Sequence, residues 1–136
     1  MPQAIKTAIY TQLISDTGAS SLYTAVGGRI YEGAGKANAA LPLLVYEVTS
    51  SNTQMVFGDD EIVDVVATFT LFGHRKDGLA ALGDIEAKLY TLMNSVNMTT
   101  TGYDRGNVTA TSRDVRQILE DVVSSQSVYM VTATAF

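Results

Sequence analysis

The chain has 136 residues, of which 46% are hydrophobic and 17% are charged, which favours one packed domain over residues 1–136 and excludes an intrinsically disordered chain. Nine Lys and Arg residues against fourteen Asp and Glu residues give a net charge of −5, which disfavours tight binding to nucleic-acid phosphates. The chain contains no cysteine, and this excludes disulfides and every site that depends on a thiolate.

The start of the chain lacks the pattern of a secretion signal. Residues 1–6 show no basic segment followed by an apolar run and a small-residue cleavage site. The strongly apolar stretches at 41–46 and 65–72 are too short to cross a bilayer. We therefore expect no membrane segment and a protein that remains in the compartment where it is made.

Two helices are predicted at the start of the chain. Apolar residues recur at a spacing of three to four over residues 3–15, which predicts an amphipathic helix. Residues 19–25 are predicted to form a second, shorter helix. Gly27 and Gly28 end it, because glycine adopts positive φ without steric cost. Residues 29–31 then form a short extended segment.

Two strands are predicted in the next part of the chain. Pro42, after a segment rich in Gly and Ala, predicts a loop that leads into a strand over 43–50. The polar residues 51–61 are predicted to form a hairpin tip. Apolar residues then alternate with others over 62–72, the clearest strand pattern in the sequence. Its second face is mixed, so we expect that face to be partly exposed or to meet another subunit.

A second amphipathic helix is predicted over residues 78–94, and its apolar stripe is expected to lie on the sheet. Residues 95–107 combine Thr with turn-forming residues, which predicts a short irregular strand and a loop.

The last part of the chain is predicted to contain two strands, over 108–121 and 127–136, with a turn at 124–126. Residues 115–123 also fit a helical period, so a helix there stays an alternative. The expected fold class is α+β. A mostly antiparallel sheet carries helices on one side, in the order helix, short helix, three strands, helix, two strands.

The residues that could carry chemistry do not form a recognisable site. His74 is the only histidine, so a catalytic triad or a zinc site lacks partners, and its position at the end of a predicted strand, beside Arg75 and Lys76, indicates a surface turn. The acidic run 59–61 lacks the ligand spacing of a calcium loop. Residues 33–36 lack the first glycine of a phosphate loop, and Ala37 stands where that loop needs Ser or Thr. We predict no enzyme activity, no cofactor, and no catalytic or metal-binding residue.

A family resemblance is carried by the order of three motifs. The motifs are Val26-Gly27-Gly28-Arg29-Ile30-Tyr31, then Leu41-Pro42-Leu43-Leu44-Val45-Tyr46-Glu47, then Phe69-Thr70-Leu71-Phe72 followed by Lys76-Asp77-Gly78 and the amphipathic helix. This order resembles the siphovirus tail-completion family, whose members act as tail terminators or tail-to-head joining proteins. The resemblance covers most of the chain. Members more often have a further proline in the loop after Tyr31, and here the C-terminal strands match only in being strand-like.

The resemblance implies a structural protein of the virion, located at the head-proximal end of the tail and assembled in the host cytoplasm. It implies a hexameric ring that caps the tail tube, ends tail growth and joins tail to head. The implied partners are further copies of the chain, the tail tube protein and a head-proximal connector or stopper. DNA would only pass through the ring, and no membrane is involved. The alternatives are a head-side neck or stopper ring and a small ligand-binding domain.

A ring is also physically reasonable. A domain of this length has a radius of gyration of about 14 Å, so it cannot both pack a core and enclose a DNA channel. One heterologous contact, repeated around an axis, encloses such a channel.

Two polar segments, 51–61 and 94–107, are hypothesised to contact neighbouring subunits, because they are long and belong to no chemical site. Surface loops without contacts are the alternative. Arginine side chains are expected to pair with the acidic run across a subunit boundary. The candidate interface residues are Arg29, Tyr31, Asp59, Asp60, Glu61, Arg75, Tyr103 and Arg105.

Overall fold

The computed structural model describes residues 3–15, 18, 21–33, 41–56, 60–74, 76, 78–94, 105–119 and 121–135. The elements are α1 (Gln3–Leu13), α2 (Leu22–Ala25), β1 (Ile30–Glu32), β2 (Leu43–Val56), β3 (Asp60–His74), α3 (Gly78–Met93), β4 (Arg105–Leu119) and β5 (Val122–Ala135). The predicted fold class and element order are confirmed, because three helices accompany a five-stranded, mostly antiparallel sheet.

The sheet has the strand order β1-β2-β3-β5-β4. β1 pairs with β2 in parallel, and the other neighbouring strands pair antiparallel. The last hairpin folds back so that β5 lies inside the sheet and β4 lies at its edge. The long strands β3 and β5 therefore form the centre, where both edges of each strand are hydrogen-bonded.

The core lies between one face of this sheet and the helices. On β3, buried Val65, Ala67 and Phe69 alternate with half-exposed residues, as the period of two requires. Helix α3 contacts β3, β4 and β5 as well as both other helices. The Phe69 ring stands edge-on to the ring of Tyr129, with 5.4 Å between the centroids. This aromatic pair fills the middle of the core.

The helices form where the apolar spacing predicts them. Ile5, Ile9 and Leu13 on α1 are fully buried at a spacing of four residues, so one stripe of the helix faces the core. On α3, Leu89 and Met93 are fully buried in the same way. No helix in the described part of the chain is long and apolar enough to cross a membrane.

The predicted hairpin tip at 51–61 is wrong in its extent. β2 runs to Val56 and β3 begins at Asp60, so most of the polar segment is strand. The ladder between the two strands continues to the pair Val56 and Asp60, with one irregularity between Ser50 and Asn52. Polar residues form a strand here because an adjacent strand satisfies their backbone groups, which local polarity does not reveal.

The predicted turn at 124–126 is also wrong. These residues lie within β5, and the chain turns at Asp121 between β4 and β5. Ser125 and Ser127 are almost completely buried on β5, where their small side chains face the core. The helical alternative for 115–123 is wrong as well, because this part of β4 pairs with β5. In the predicted loop 94–107, residues 105–107 begin β4 and residues 95–104 lie outside the described part.

Candidate interaction surfaces

The described candidate residues lie at two opposite ends of the sheet. Tyr31 on β1 pairs with Val45, and Arg29 directly precedes β1. At the other end, Asp60 and Glu61 begin β3 and Arg105 begins β4. Of the remaining candidates, Asp59, Arg75 and Tyr103 lie outside the described residues.

The strand register gives the distance between the candidate residues at the two ends of the sheet. Val45 pairs with Thr70 on β3, and Glu61 lies nine residues earlier on the same strand. At about 3.3 Å per residue this is roughly 30 Å. Arg29 therefore cannot reach the start of β3 within one copy. A pairing of these groups across a subunit boundary stays a prediction.

Arg29 makes contacts within its own chain. Its Nε donates a hydrogen bond of 3.0 Å to the carbonyl oxygen of Pro42, and its own carbonyl oxygen accepts one of 2.9 Å from the amide of Leu44. Gly27 has a φ of +60°, and a Cβ placed there would lie 2.5 Å from Nη1 of Arg29. The half-buried Arg29 side chain thus holds the glycine turn against the start of β2.

A shallow depression between α1 and the edge of the sheet was not predicted from the sequence. It has a volume of about 350 Å³ and includes Lys6, Tyr10, Glu32 and Tyr46 in its lining. Lys6 Nζ lies 3.0 Å from Glu32 Oε1 in a partly exposed ion pair. Tyr10 is 42% exposed at its rim.

The same depression changes the acidity of a buried phenol. Burial, then the charge of Glu32, then Tyr10 raise the pKa of Tyr46 above its ordinary value of 10.0. Glu32 reaches this position because the parallel register of β1 and β2 places it beside Tyr46. No local sequence signal indicates that parallel pairing, so the sequence could not have identified this cluster.

The sheet face opposite the helices, here called the open face, carries half-exposed and exposed side chains. Its described residues include Val45, Glu47, Thr49, Asp64, Val66, Thr68, Thr70, Phe72, Thr109, Ser124, Gln126, Val128, Met130 and Thr132. Thr132 Oγ1 donates a hydrogen bond of 2.9 Å to Asp64 Oδ1 across two strands. The charged side chains among these residues are the two carboxylates of Glu47 and Asp64.

His74 is the last residue of β3, which confirms its predicted position at the end of a strand. Its side chain is half-buried and not fully exposed at the surface as predicted. It lines a small cavity of about 40 Å³ together with the apolar side chains of Leu82 and Ile85 on α3. Within the described ranges, no group of three or more His, Cys, Asp or Glu residues is arranged to hold a metal ion.

Comparison with known proteins relates the chain by its fold. No family model matches it, and no curated protein matches it. A solved structure described as the virion of a native gene transfer agent particle contains a similar chain. That chain is 15% identical with a TM-score of 0.77, and the alignment covers 98% of this chain and 96% of that one. The chain therefore shares its fold, over nearly the whole length of both, with a component of a virion particle.

A second solved protein, whose name is only a sequence identifier, is 17% identical with a TM-score of 0.71. That alignment covers 100% of this chain and 97% of the other.

Proposed function

We propose that this chain is a structural subunit of a bacteriophage-type virion that completes the tail. It forms a hexameric ring on the head-proximal end of the tail tube, ends tail growth and joins the tail to the head. The observation that carries this proposal is the fold shared with a chain of a gene transfer agent virion, at a TM-score of 0.77 over 98% of this chain. The order of sequence motifs, from Val26 to Gly78, supports the same assignment.

A structural role also agrees with the chemistry of the described residues. The small cavity that His74 lines has no carboxylate or hydroxyl residue among its other lining residues, which are Pro42, Gly73, Ala81, Leu82, Ile85 and Val123. A general base needs its proton donor within about 3 Å, and a catalytic His needs a group that orients it. We therefore propose that the chain acts through its contacts with other subunits and not through catalysis.

The candidate contact residues are consistent with a ring that has two different faces. Arg29 and Tyr31 lie at one end of the sheet, whereas Asp60, Glu61 and Arg105 lie at the other. A ring built from such subunits presents one group on each side if the strands run roughly along its axis. In the proposal one side meets the tail tube protein and the other meets the connector or stopper.

DNA is proposed to be a transient partner. The chain has a net charge of −5, and two carboxylates, those of Glu47 and Asp64, lie on the open face. Binding to the DNA backbone needs cations that displace its counterions. A ring opening with this charge would let DNA pass without holding it.

Electron microscopy of particles assembled without this chain tests the proposed role. We expect overlong tails and tails without heads, both restored by supplying the chain. Tails of normal length attached to heads would refute the proposal. Tails of normal length beside heads that lose their DNA would indicate a head-side neck or stopper ring instead.

Light scattering of the purified chain after size-exclusion chromatography tests the ring. Six copies of the 14.5 kDa chain would give a particle of about 87 kDa. Because the ring can require the head-proximal end of a tail tube to form, the same measurement is made with and without isolated tail tubes. A chain that stays monomeric in solution and does not bind tail tubes would refute the ring.

A further inference from the structure

The sheet has two long edges to which no strand in the described part of the chain is paired. The first is the outer edge of β4, which ends the strand order and on which the Ala110 amide is already bonded to Asn94 Oδ1. The second is the part of β2 that extends beyond β1, because β1 pairs only with Leu44, Val45 and Tyr46. The remainder of β2, residues 47–56, is bordered by β3 on one side only. An unpaired edge presents a row of N–H and C=O groups that can add another strand.

Backbone hydrogen bonds show which groups of β2 point toward this edge. The amide of Leu44 donates to the Arg29 carbonyl oxygen, and the carbonyl oxygen of Tyr46 accepts from the Gly33 amide. Backbone groups along a strand alternate in direction with a period of two. The backbone groups of Val48 and Ser50 therefore point to the same edge, just beyond the end of β1.

The regular parts of the two edges lie at the same level of the sheet. Thr49 pairs with Val66, Val66 with Met130, and Met130 with Thr109 on β4, so one row joins the two edges. The irregularities of β4 lie beyond this row, between Ala110 and 115. The part of β4 that follows Ala110 lies at the same level of the sheet as the part of β2 that pairs with β1. β2 has an irregularity of its own between Ser50 and Asn52, so the regular stretches of the two edges meet around Thr49 and Thr109. Bulges and covering strands both discourage edge pairing, which favours pairing around these two residues over the rest of the edges.

The strand directions would also allow β4 of one copy to lie beside β2 of another copy. β2 runs antiparallel to β3, β3 to β5, and β5 to β4, so β4 runs antiparallel to β2. In a ring whose copies all point the same way, β4 of one copy placed beside β2 of the next copy continues the antiparallel order. In that arrangement, the helices of every copy lie on the same side of the continued sheet.

The charges of the two edges are complementary. β4 contains Arg105, Arg113 and Arg116 with a single acid, Asp114, and thus holds three of the nine Lys and Arg residues of an acidic chain. Residues 47–56 of β2 contain one charged residue, Glu47. They contain neither Lys nor Pro, the residues that commonly block an edge. Only Arg105 lies in the part of β4 that is level with residues 47–56 of β2, so the paired stretch would carry one basic residue from β4 and one acidic residue from β2.

We propose that β4 of one copy pairs antiparallel with residues 47–56 of β2 in the neighbouring copy, so that a single hydrogen-bonded sheet continues around the ring. This contact is heterologous, because β4 meets β2 and not a second β4, and it repeats until the ring closes. The inference rests on the proposed function for the existence of the ring, and it adds which surfaces hold the ring together.

Disulfide trapping tests the pairing directly, because the natural chain has no cysteine. Thr49 and Thr109 are both exposed, so replacing each by cysteine should leave the fold intact. Directly opposite residues in an antiparallel pair have Cα atoms about 4.5–5.5 Å apart, within the range that a disulfide spans. Each T49C/T109C molecule would bond to two neighbours and give a ladder of covalent oligomers on a non-reducing gel.

The register between copies can shift only by even steps, because an odd step would turn the open face of one copy toward the helix side of the next. The E47C/T109C variant tests the register that is shifted by two residues, in which Glu47 lies opposite Thr109. T49C/T91C is the matched control, since Thr91 is exposed on α3, away from both edges. We expect one of the two edge variants to form trimers and larger species at least about ten times faster than the control, because pairing raises the effective thiol concentration.

The inference is overturned if both edge variants cross-link no faster than the control. If rings are then still seen by light scattering, a different surface closes them and the proposed tail role stands. If a ladder forms but particles without the chain have normal tails, the pairing is real and the proposed tail role fails.

Discussion

Gly27 combines a left-handed backbone with the close approach of a charged side chain, and its replacement by alanine should report on both. Its φ is +60°, and an added Cβ would lie 2.5 Å from Nη1 of Arg29. Alanine in this backbone conformation costs about 1–2 kcal/mol. The Arg29 side chain can move away, but it then loses its hydrogen bond to the Pro42 carbonyl, worth about 0.5–1.5 kcal/mol. We expect Gly27→Ala to lower the free energy of unfolding by the sum of the two, about 1.5–3.5 kcal/mol.

Gly33 is a matched control for the backbone cost. Its φ is +81°, and a Cβ there would meet nothing within 4 Å. Gly33→Ala should therefore cost only the backbone strain, about 1–2 kcal/mol. Urea denaturation of the two variants, at the same slope m, measures the difference as a shift in midpoint. Equal costs for Gly27→Ala and Gly33→Ala would refute the role of Arg29.

A double-mutant cycle separates the contact from the strain. Arg29→Ala removes the side chain that the new Cβ would displace. In that background, Gly27→Ala should cost no more than Gly33→Ala costs in the natural chain, because only backbone strain remains. A cost of Gly27→Ala that is the same with and without Arg29 would show that the contact contributes nothing.

Three further predictions concern the core, a strand anchor and the pH dependence of stability. Leu89 is fully buried, so Leu89→Ala should lower the unfolding free energy by about 2–5 kcal/mol, whereas Ile118→Ala at a 49% exposed site should change it by less than about 1 kcal/mol; similar urea midpoints for the two would contradict the packing described. Asn94 Oδ1 accepts a hydrogen bond from the amide of Ala110, so Asn94→Ala should cost about 1–3 kcal/mol and speed hydrogen exchange at that amide, and unchanged exchange would exclude the bond. Because burial first and neighbouring acidic groups second raise the pKa of Tyr46 above 10.0, its contribution is fully present below pH 10 and is lost as the pH rises through the raised value. Between about pH 9 and about pH 11, the urea midpoint should therefore fall less for Tyr46→Phe than for the natural chain. An equal fall for both would contradict the raised pKa of Tyr46.

Local periodicity in the sequence determined the helices and the centre of the sheet. The spacing of Ile5, Ile9 and Leu13 predicts α1, and all three are buried. The alternation around Phe69 predicts β3, the strand at the centre of the core. These predictions succeeded because one side of each element is buried, and burial imposes a period of 3.6 or 2 on neighbouring residues.

Strand ends and the position of the last turn depended on pairing instead. Residues 51–54 are polar, yet the pairing with β3 extends β2 through them to Val56, and the chain turns at Asp121 instead of at 124–126. A strand ends where its partner ends, and the partner can lie far away in sequence. Local composition therefore misplaced both boundaries.

Contacts between distant segments were decided by the tertiary structure alone. Arg29 bonds to Pro42, Glu32 lies beside Tyr46, and no spacing within the sequence announces either contact. The absence of cysteine, the acidic charge and the element order were determined by the sequence itself. The position of β4 at an edge and the separation of the candidate residues to opposite ends of the sheet required the strand order, because long-range pairing is a property of the folded chain and not of any local segment.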